Sequence, residues 1–304
     1  NLDDLDLSPL LVQADPGEYK RHSTPNLINK VPDTLDEKIY KDVKILIDKE
    51  KNIEKNYQIK NVDRAVGTRL SHYIYEHFKE KDLTQDCIKI NLNGSAGQSL
   101  GAFAIKGLKL NIEGDANDYV GKGLSGGTIV IKLQDKSKLV SNENTIIGNT
   151  VLYGATSGYL YASGQAGERF AVRNSGATTV IEGCDSNGCE YMTGGNVVIL
   201  GEVGDNFAAG MTGGMAFVYD SNYNFEKKVN PESVIWQRPE TEFWIKFLNN
   251  LIIDHFKKTN SIFAKKLLDN FEKEILNFFQ VCPKEMIGKL DKPITLNKTL
   301  GVAS

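Results

Sequence analysis

The chain has 304 residues, with 36 Lys+Arg against 39 Asp+Glu and a formal net charge of −3. That balance argues against a nucleic-acid or anionic-membrane partner, and 40% hydrophobic with 25% charged residues describes a globular chain, not a disordered one. No apolar run approaches the roughly 18 residues of a membrane span, and Asn1 to Asp6 is acidic where a secretory signal would be basic and then apolar, so an intracellular location, in cytoplasm or an organelle, is expected.

The first stretch, 1–86, reads as a flanking segment with helices. Thr34-Leu35-Asp36-Glu37 is a capping box, and Leu35, Ile39, Val43 and Ile47 fall on one helical face behind it. Leu70, Ile74 and Phe78 predict a second helix.

The middle, 87–220, has a different composition. Of the 28 Gly, 24 lie between Gly94 and Gly214, and all eight Pro lie outside that stretch. Collagen, with its three-residue Gly period, and a flexible Gly/Ser linker are both excluded, because these Gly are interleaved with apolar runs. Gly in regular structure costs about 0.5–1 kcal/mol relative to Ala, so two dozen are tolerated only where the backbone requires them.

A repeat supplies that requirement. Met192-Thr193-Gly194-Gly195 precedes the strand-like Asn196 to Leu200, and 19 residues later Met211-Thr212-Gly213-Gly214 precedes Met215 to Tyr219. Stepping back gives Gly176 before Thr178 to Ile181, Gly158 before Tyr159 to Tyr161, and Gly126-Gly127 before Thr128 to Ile131. The polar stretch Gln134 to Asn144 reads as an insertion, and Lys106 to Gly114 as an earlier copy. Units this short leave no room for a helical crossover. The pattern predicts a right-handed parallel β-helix, a solenoid of six to seven coils of 18–20 residues, with Gly126, Gly127, Gly158, Gly176, Gly194, Gly195, Gly213 and Gly214 as structural turn glycines.

The last stretch, 221–304, predicts a C-terminal helical hairpin and a tail. Trp244, Phe247, Leu248 and Leu251 form one stripe; after a break at Thr259-Asn260-Ser261, Phe263, Leu267, Phe271, Ile275 and Phe278 form a second, ending before Pro283.

Candidate chemistry is sparse. Gly121-Lys122-Gly123-Leu124-Ser125-Gly126 fits G-x-G-x-x-G, but a strand-like run follows where a dinucleotide site needs a helix, so a solenoid turn is the better reading. Cys184 and Cys189 have no second pair nearby, and with Cys87 and Cys282 they read as isolated thiols. His72 and His77 are five apart, not the four of a helical metal pair; His22 and His255 stand alone. A sugar-cleaving enzyme would need a carboxylate pair, and nothing selects one among Glu113, Asp115, Asp118, Glu168, Glu182 and Glu190. Glu168, Arg169, Arg173 and Asn174 lie beside Gly turns, either as solvated residues or as interdomain contacts.

Several long motifs carry a resemblance. Gly114 to Gly127, Leu152 to Gly158, Ala166 to Ala177, Gly188 to Gly195 and Asn206 to Gly214 resemble the C-terminal GXGXG domain of the glutamate synthase large subunit. Asn61 to Ser71, Gly94 to Ser99 and Ala264 to Phe271 extend the likeness into the flanks. The resemblance implies an enzyme that makes two glutamates from glutamine, 2-oxoglutarate and a reductant. It implies a glutaminase domain, a central domain and an FMN domain with an iron–sulfur cluster elsewhere on the polypeptide, and as a further partner an NAD(P)H-dependent reductase. No catalytic, cofactor or metal residue of that family falls on this stretch. The implied role is a structural domain that scaffolds the catalytic ones, inactive by itself. The missing initiating Met fits a piece of a longer polypeptide, and the tail from Leu290 to Ser304 reads as the start of a linker. Two alternatives stay open: a β-solenoid subunit of another multidomain enzyme, similar to the C subunit of formylmethanofuran dehydrogenase, and an independent carbohydrate-acting β-helix protein.

Overall fold

The computed structural model describes residues 6, 8–11, 32–47, 52–78 and 83–295. His22, and residues 296–304 of the predicted linker, lie outside the described residues. The chain divides into two compact units, Asn1–Asp33 and Thr34–Ser304. In the first, Ser8–Leu10 forms a 3-10 turn whose Ser8 N–H donates to the Asp6 carboxylate at 2.9 Å.

The second unit opens with helix α1, Leu35–Lys44, where Thr34 Oγ1 accepts the Glu37 N–H at 3.1 Å as the capping box requires. Strand β1, Ile53–Ile59, follows, then helix α2, Thr68–Phe78. Asp36 on α1 caps α2: its carboxylate accepts the N–H of Gly67 at 2.7 Å and of Arg69 at 2.9 Å.

The Gly-rich middle supplies β2 (Ile88–Ala96), β3 (Leu108–Ala116), β4 (Ser125–Lys132), β5 (Thr145–Ile147), β6 (Ser157–Ser163), β7 (Gln165–Ala166), β8 (Ser175–Ile181), β9 (Thr193–Ile199) and β10 (Gly213–Tyr219). After it come α3 (Phe225–Lys228), β11 (Val234–Gln237), α4 (Glu242–Thr259), α5 (Ile262–Asp269), α6 (Phe271–Glu274) and β12 (Phe278–Pro283).

The twelve strands form one sheet, ordered β1-β2-β3-β4-β6-β8-β9-β10-β12-β11, with β5 joining β3 and β7 off that path. Pairings from β1 to β10 are parallel, whereas β12 runs antiparallel to both β10 and β11. This corrects the expected right-handed parallel β-helix: the architecture is a mixed twelve-stranded sheet with helices, an α/β fold. The Gly repeat reports only that successive strands are parallel neighbours, and says nothing of strands outside it. The extent of the C-terminal hairpin, whose two stripes begin as α4 and α5, is corrected too. The second stripe stays helical through α5, α6 and a 3-10 turn at Ile275–Asn277, and Phe278–Pro283 then forms β12, because a short apolar run fits a strand as well as a helix until its pairing partner is known.

The parallel register sorts the side chains into two faces. One row, Ile90–Leu110–Ile129–Leu160–Thr179–Val197–Ala216, is fully buried in the larger core. The next row, on the opposite face, begins polar and turns apolar: Asn56, Asn91 and Asn111, then Val130, Tyr161, Val180, Val198 and Phe217. Helix α4 packs across β4, β6 and β8, and its Trp244, Leu248, Leu251 and Ile252 complete a second core with the apolar part of that row. Among the described residues, no helix packs over the asparagine part, which stays an open groove.

Candidate functional site

The parallel strands need a crossover of about a dozen residues each, and here it is not helical. Six triplets take left-handed backbone at alternate residues: Ser99/Gly101/Phe103, Tyr119/Gly121/Gly123, Thr150/Leu152/Gly154, Arg169/Ala171/Arg173, Asn187/Cys189/Tyr191 and Asn206/Ala208/Gly210, with φ between 54° and 65°. This conformation costs a non-Gly residue about 1–2 kcal/mol. Hydrogen bonding between successive triplets offsets the cost. The middle residue donates backward (Leu152 N–H to Val120 O at 2.8 Å, Ala171 to Val151 at 2.9 Å, Cys189 to Phe170 at 2.7 Å). The outer residues donate forward (Arg169 N–H to Ser186 O at 2.9 Å, Arg173 to Glu190 at 3.0 Å, Tyr191 to Ala209 at 2.8 Å).

Alternation also sorts the side chains of this stack. Leu152, Ala171, Cys189 and Ala208 are buried, while Arg169, Arg173, Phe103 and Tyr191 are exposed. Phe103 and Tyr191 remain 54% and 55% exposed although each lies flat over a Gly of the next triplet: a Cβ on Gly123 or Gly210 would stand 2.5 Å from the ring. Tyr119 joins them, with the Lys122 ammonium 5.8 Å from its ring centre. The surface is thus a hydrogen-bonded backbone lattice carrying aromatic and arginine side chains.

The residues singled out in the sequence fall on this lattice or at its edge. Glu168, Arg169 and Arg173 are exposed on it. Asn174 is fully buried instead: its Oδ1 accepts the N–H of Ala177 at 2.9 Å and of Gly176 at 3.2 Å, and its Nδ2 donates to Ala177 O at 3.0 Å. The eight turn glycines all lie at strand starts, in β4, β6, β8, β9 and β10, where the register shifts in three of the pairings. Such bulges press the chain onto its neighbour: a Cβ on Gly213 would stand 2.0 Å from Thr193 O. Gly121 and Gly123 belong to a left-handed triplet followed by β4, not by the helix of a dinucleotide site.

All four thiols are buried, and burial raises each above its ordinary pKa, to about 11 for Cys282. Among the described residues, no three His, Cys, Asp or Glu side chains are placed to share a metal ion. Sequence reasoning missed one cluster. Glu182, just after β8, lies with its Oε1 3.4 Å from His255 Nε2, accepts the Ser163 hydroxyl at 3.2 Å, and accepts the Ser261 hydroxyl. Glu182, His255 and Ser261 are at most 2% exposed. Their separations of 73 and 79 residues left no local signal. The cluster pins the α4–α5 corner to the sheet. No helix of the described residues is long and apolar enough to cross a membrane.

The family model for the GXGXG motif matches residues 36–284, a span that holds all six triplets. The glutamate synthase [NADPH] large chain of Azospirillum brasilense is 56% identical over 300 residues, 99% of this chain and 20% of its own length. The glutamate synthase [NADH] of Schizosaccharomyces pombe is 44% identical over 291 residues, 95% of this chain and 14% of its own. The ferredoxin-dependent glutamate synthase of Pyropia yezoensis is 49% identical over 234 residues, 77% of this chain and 15% of its own. The chain thus spans a fifth or less of these relatives. A match over most of the sequence, coinciding with the strand-and-triplet repeat, places the chain in the GXGXG family.

Proposed function

We propose that this chain is the C-terminal structural domain of a glutamate synthase polypeptide, non-catalytic itself, that holds the glutaminase and FMN-binding synthase domains in register. The observation that carries the reading is the match to relatives named for three electron donors, each covered over a fifth of its length or less. A segment common to all three serves what they share, not the donor. The FMN and the iron–sulfur cluster belong to other parts of the polypeptide, and an NAD(P)H-dependent reductase is a partner only where the donor is a nicotinamide. Within the chain, Glu168, Arg169 and Arg173 on the triplet lattice are the contacts to the catalytic domains.

The purified chain, given glutamine, 2-oxoglutarate and a reductant, is expected to release no glutamate and to carry no flavin absorbance. Turnover or bound flavin in that sample overturns the non-catalytic role.

A further inference from the structure

The uncovered half of the outer sheet face is a groove of about 870 Å³ across β1 to β4, bordered by the C-terminal end of α4. Its floor is made of amides in register. Asn111 Nδ2 donates to Asn91 Oδ1 at 2.8 Å, Asn91 Nδ2 donates to Asn56 Oδ1 at 2.8 Å, and Gln58 and Asn93 line the neighbouring row. A side-chain ladder of this kind offers alternating donors and acceptors along the floor.

The rim is cationic. Lys109, Lys132, Lys257 and Lys258 all line the groove. Lys132 is already matched, 3.1 Å from Glu113 and 3.6 Å from Asp135. The other three are not matched in the same way. Lys109 has its nearest carboxylate, Asp86, at 4.0 Å, and no carboxylate among the described residues pairs with Lys257 or Lys258. Lys89 pairs in register with Lys109 on the same face. Burial, and then the charges of Lys258 and Lys89, work against the Lys109 ammonium, and Asp86 only partly opposes them. Lys258 holds its ammonium 5.5 Å from the ring centre of Tyr161, at the boundary where the row turns from amide to apolar. Lys109, Lys257 and Lys258 thus line the groove, with Lys89 beside Lys109 and with Asp86, Glu54 and the groove-lining Glu113 as nearby carboxylates.

We propose that this groove is a binding site for a small polyanion whose phosphate or carboxylate head sits among Lys109, Lys257 and Lys258 and whose polar body lies on the Asn56–Asn91–Asn111 ladder. Lysines recognise either head as point charges, so the shared chemistry is a compact multiple negative charge. The site is separate from the triplet lattice and does not depend on the scaffold role.

The test uses the full-length protein that carries this chain, with hydrogen–deuterium exchange of peptides covering 88–113 and 252–259 read without additive and with inorganic phosphate, citrate or, as a neutral control, glucose. Phosphate or citrate is expected to slow exchange in both peptides in a saturable, salt-sensitive way, and glucose is expected to leave them unchanged. The Lys109→Gln/Lys258→Gln variant is expected to weaken the effect about tenfold, the order for losing two partly exposed charge contacts. A Lys257→Gln/Lys258→Gln variant, altered only on α4, checks the same loss without touching the sheet. Three results overturn the site: no anion response, a response that survives both variants, or peptides already protected without additive and unchanged by it, which would mean that polypeptide covers this face.

Discussion

At Gly195 an added Cβ would stand 2.3 Å from Ala177 O and 2.9 Å from Asn174 Nδ2, on a backbone at φ +86°. Both the conformation and the close approach demand Gly, so Gly195→Ala is expected to lower stability by about 1–3 kcal/mol, seen as a lower urea midpoint at constant slope. Tyr219 tests a different property. Burial, and then the Glu274 carboxylate that accepts its hydroxyl at 2.7 Å, push its phenol up to about 12 from 10.0. The native state therefore keeps a proton that the unfolded chain releases first. Its contribution to stability is complete below pH 10 and declines as pH rises toward 12. Unfolding midpoints measured across that range are expected to fall, and Tyr219→Phe to flatten the part of the decline that belongs to this residue. The glycines were legible as a repeat because they recur with fixed spacing. The left-handed triplets were not, since most hold residues such as Arg169, Leu152 or Tyr191, whose own preferences point elsewhere and are overridden by hydrogen bonds to the neighbouring repeats.

Among the elements, α4 shows how covering decides the chemistry of a sheet face. Where it packs, the outer row is Val130, Tyr161, Val180 and Val198; beyond its end the row is asparagine. Its C-terminal turn is fixed through His255 against Glu182, with Ser261 at the head of α5 on the same carboxylate. Removing one member of this buried hydrogen-bonded cluster leaves its partners without their bonds, so Glu182→Ala or His255→Ala is expected to cost about 1–3 kcal/mol, whereas breaking the exposed Lys246–Glu242 pair on the same helix is expected to leave the unfolding midpoint nearly unchanged. Denaturant unfolding of the single variants measures both. The stripes of α4 and the capping box of α1 were readable because each lies within a few residues. The antiparallel return of β12 was not, because its partner β10 lies some 60 residues earlier and Phe278 to Pro283 alone carries no pairing information.

For the whole molecule, the backbone lattice with exposed Arg169, Arg173, Phe103 and Tyr191, on a segment that spans a fifth or less of its relatives, is the surface we propose holds other domains. The sequence carried the family through its long Gly motifs, and carried the exposed arginines, but it placed the buried Asn174 with them because adjacency in the chain does not reveal which way alternate residues face. The most direct test is the glutamate formed per glutamine hydrolysed by the full-length protein with Arg169→Glu and Arg173→Glu together. Arginine is enriched among the few interface residues that each carry more than about 1 kcal/mol, so reversing two is expected to reduce coupled glutamate formation about tenfold or more, with flavin content and thermal midpoint unchanged. A wild-type ratio and rate in that variant would contradict the scaffold role assigned to this face.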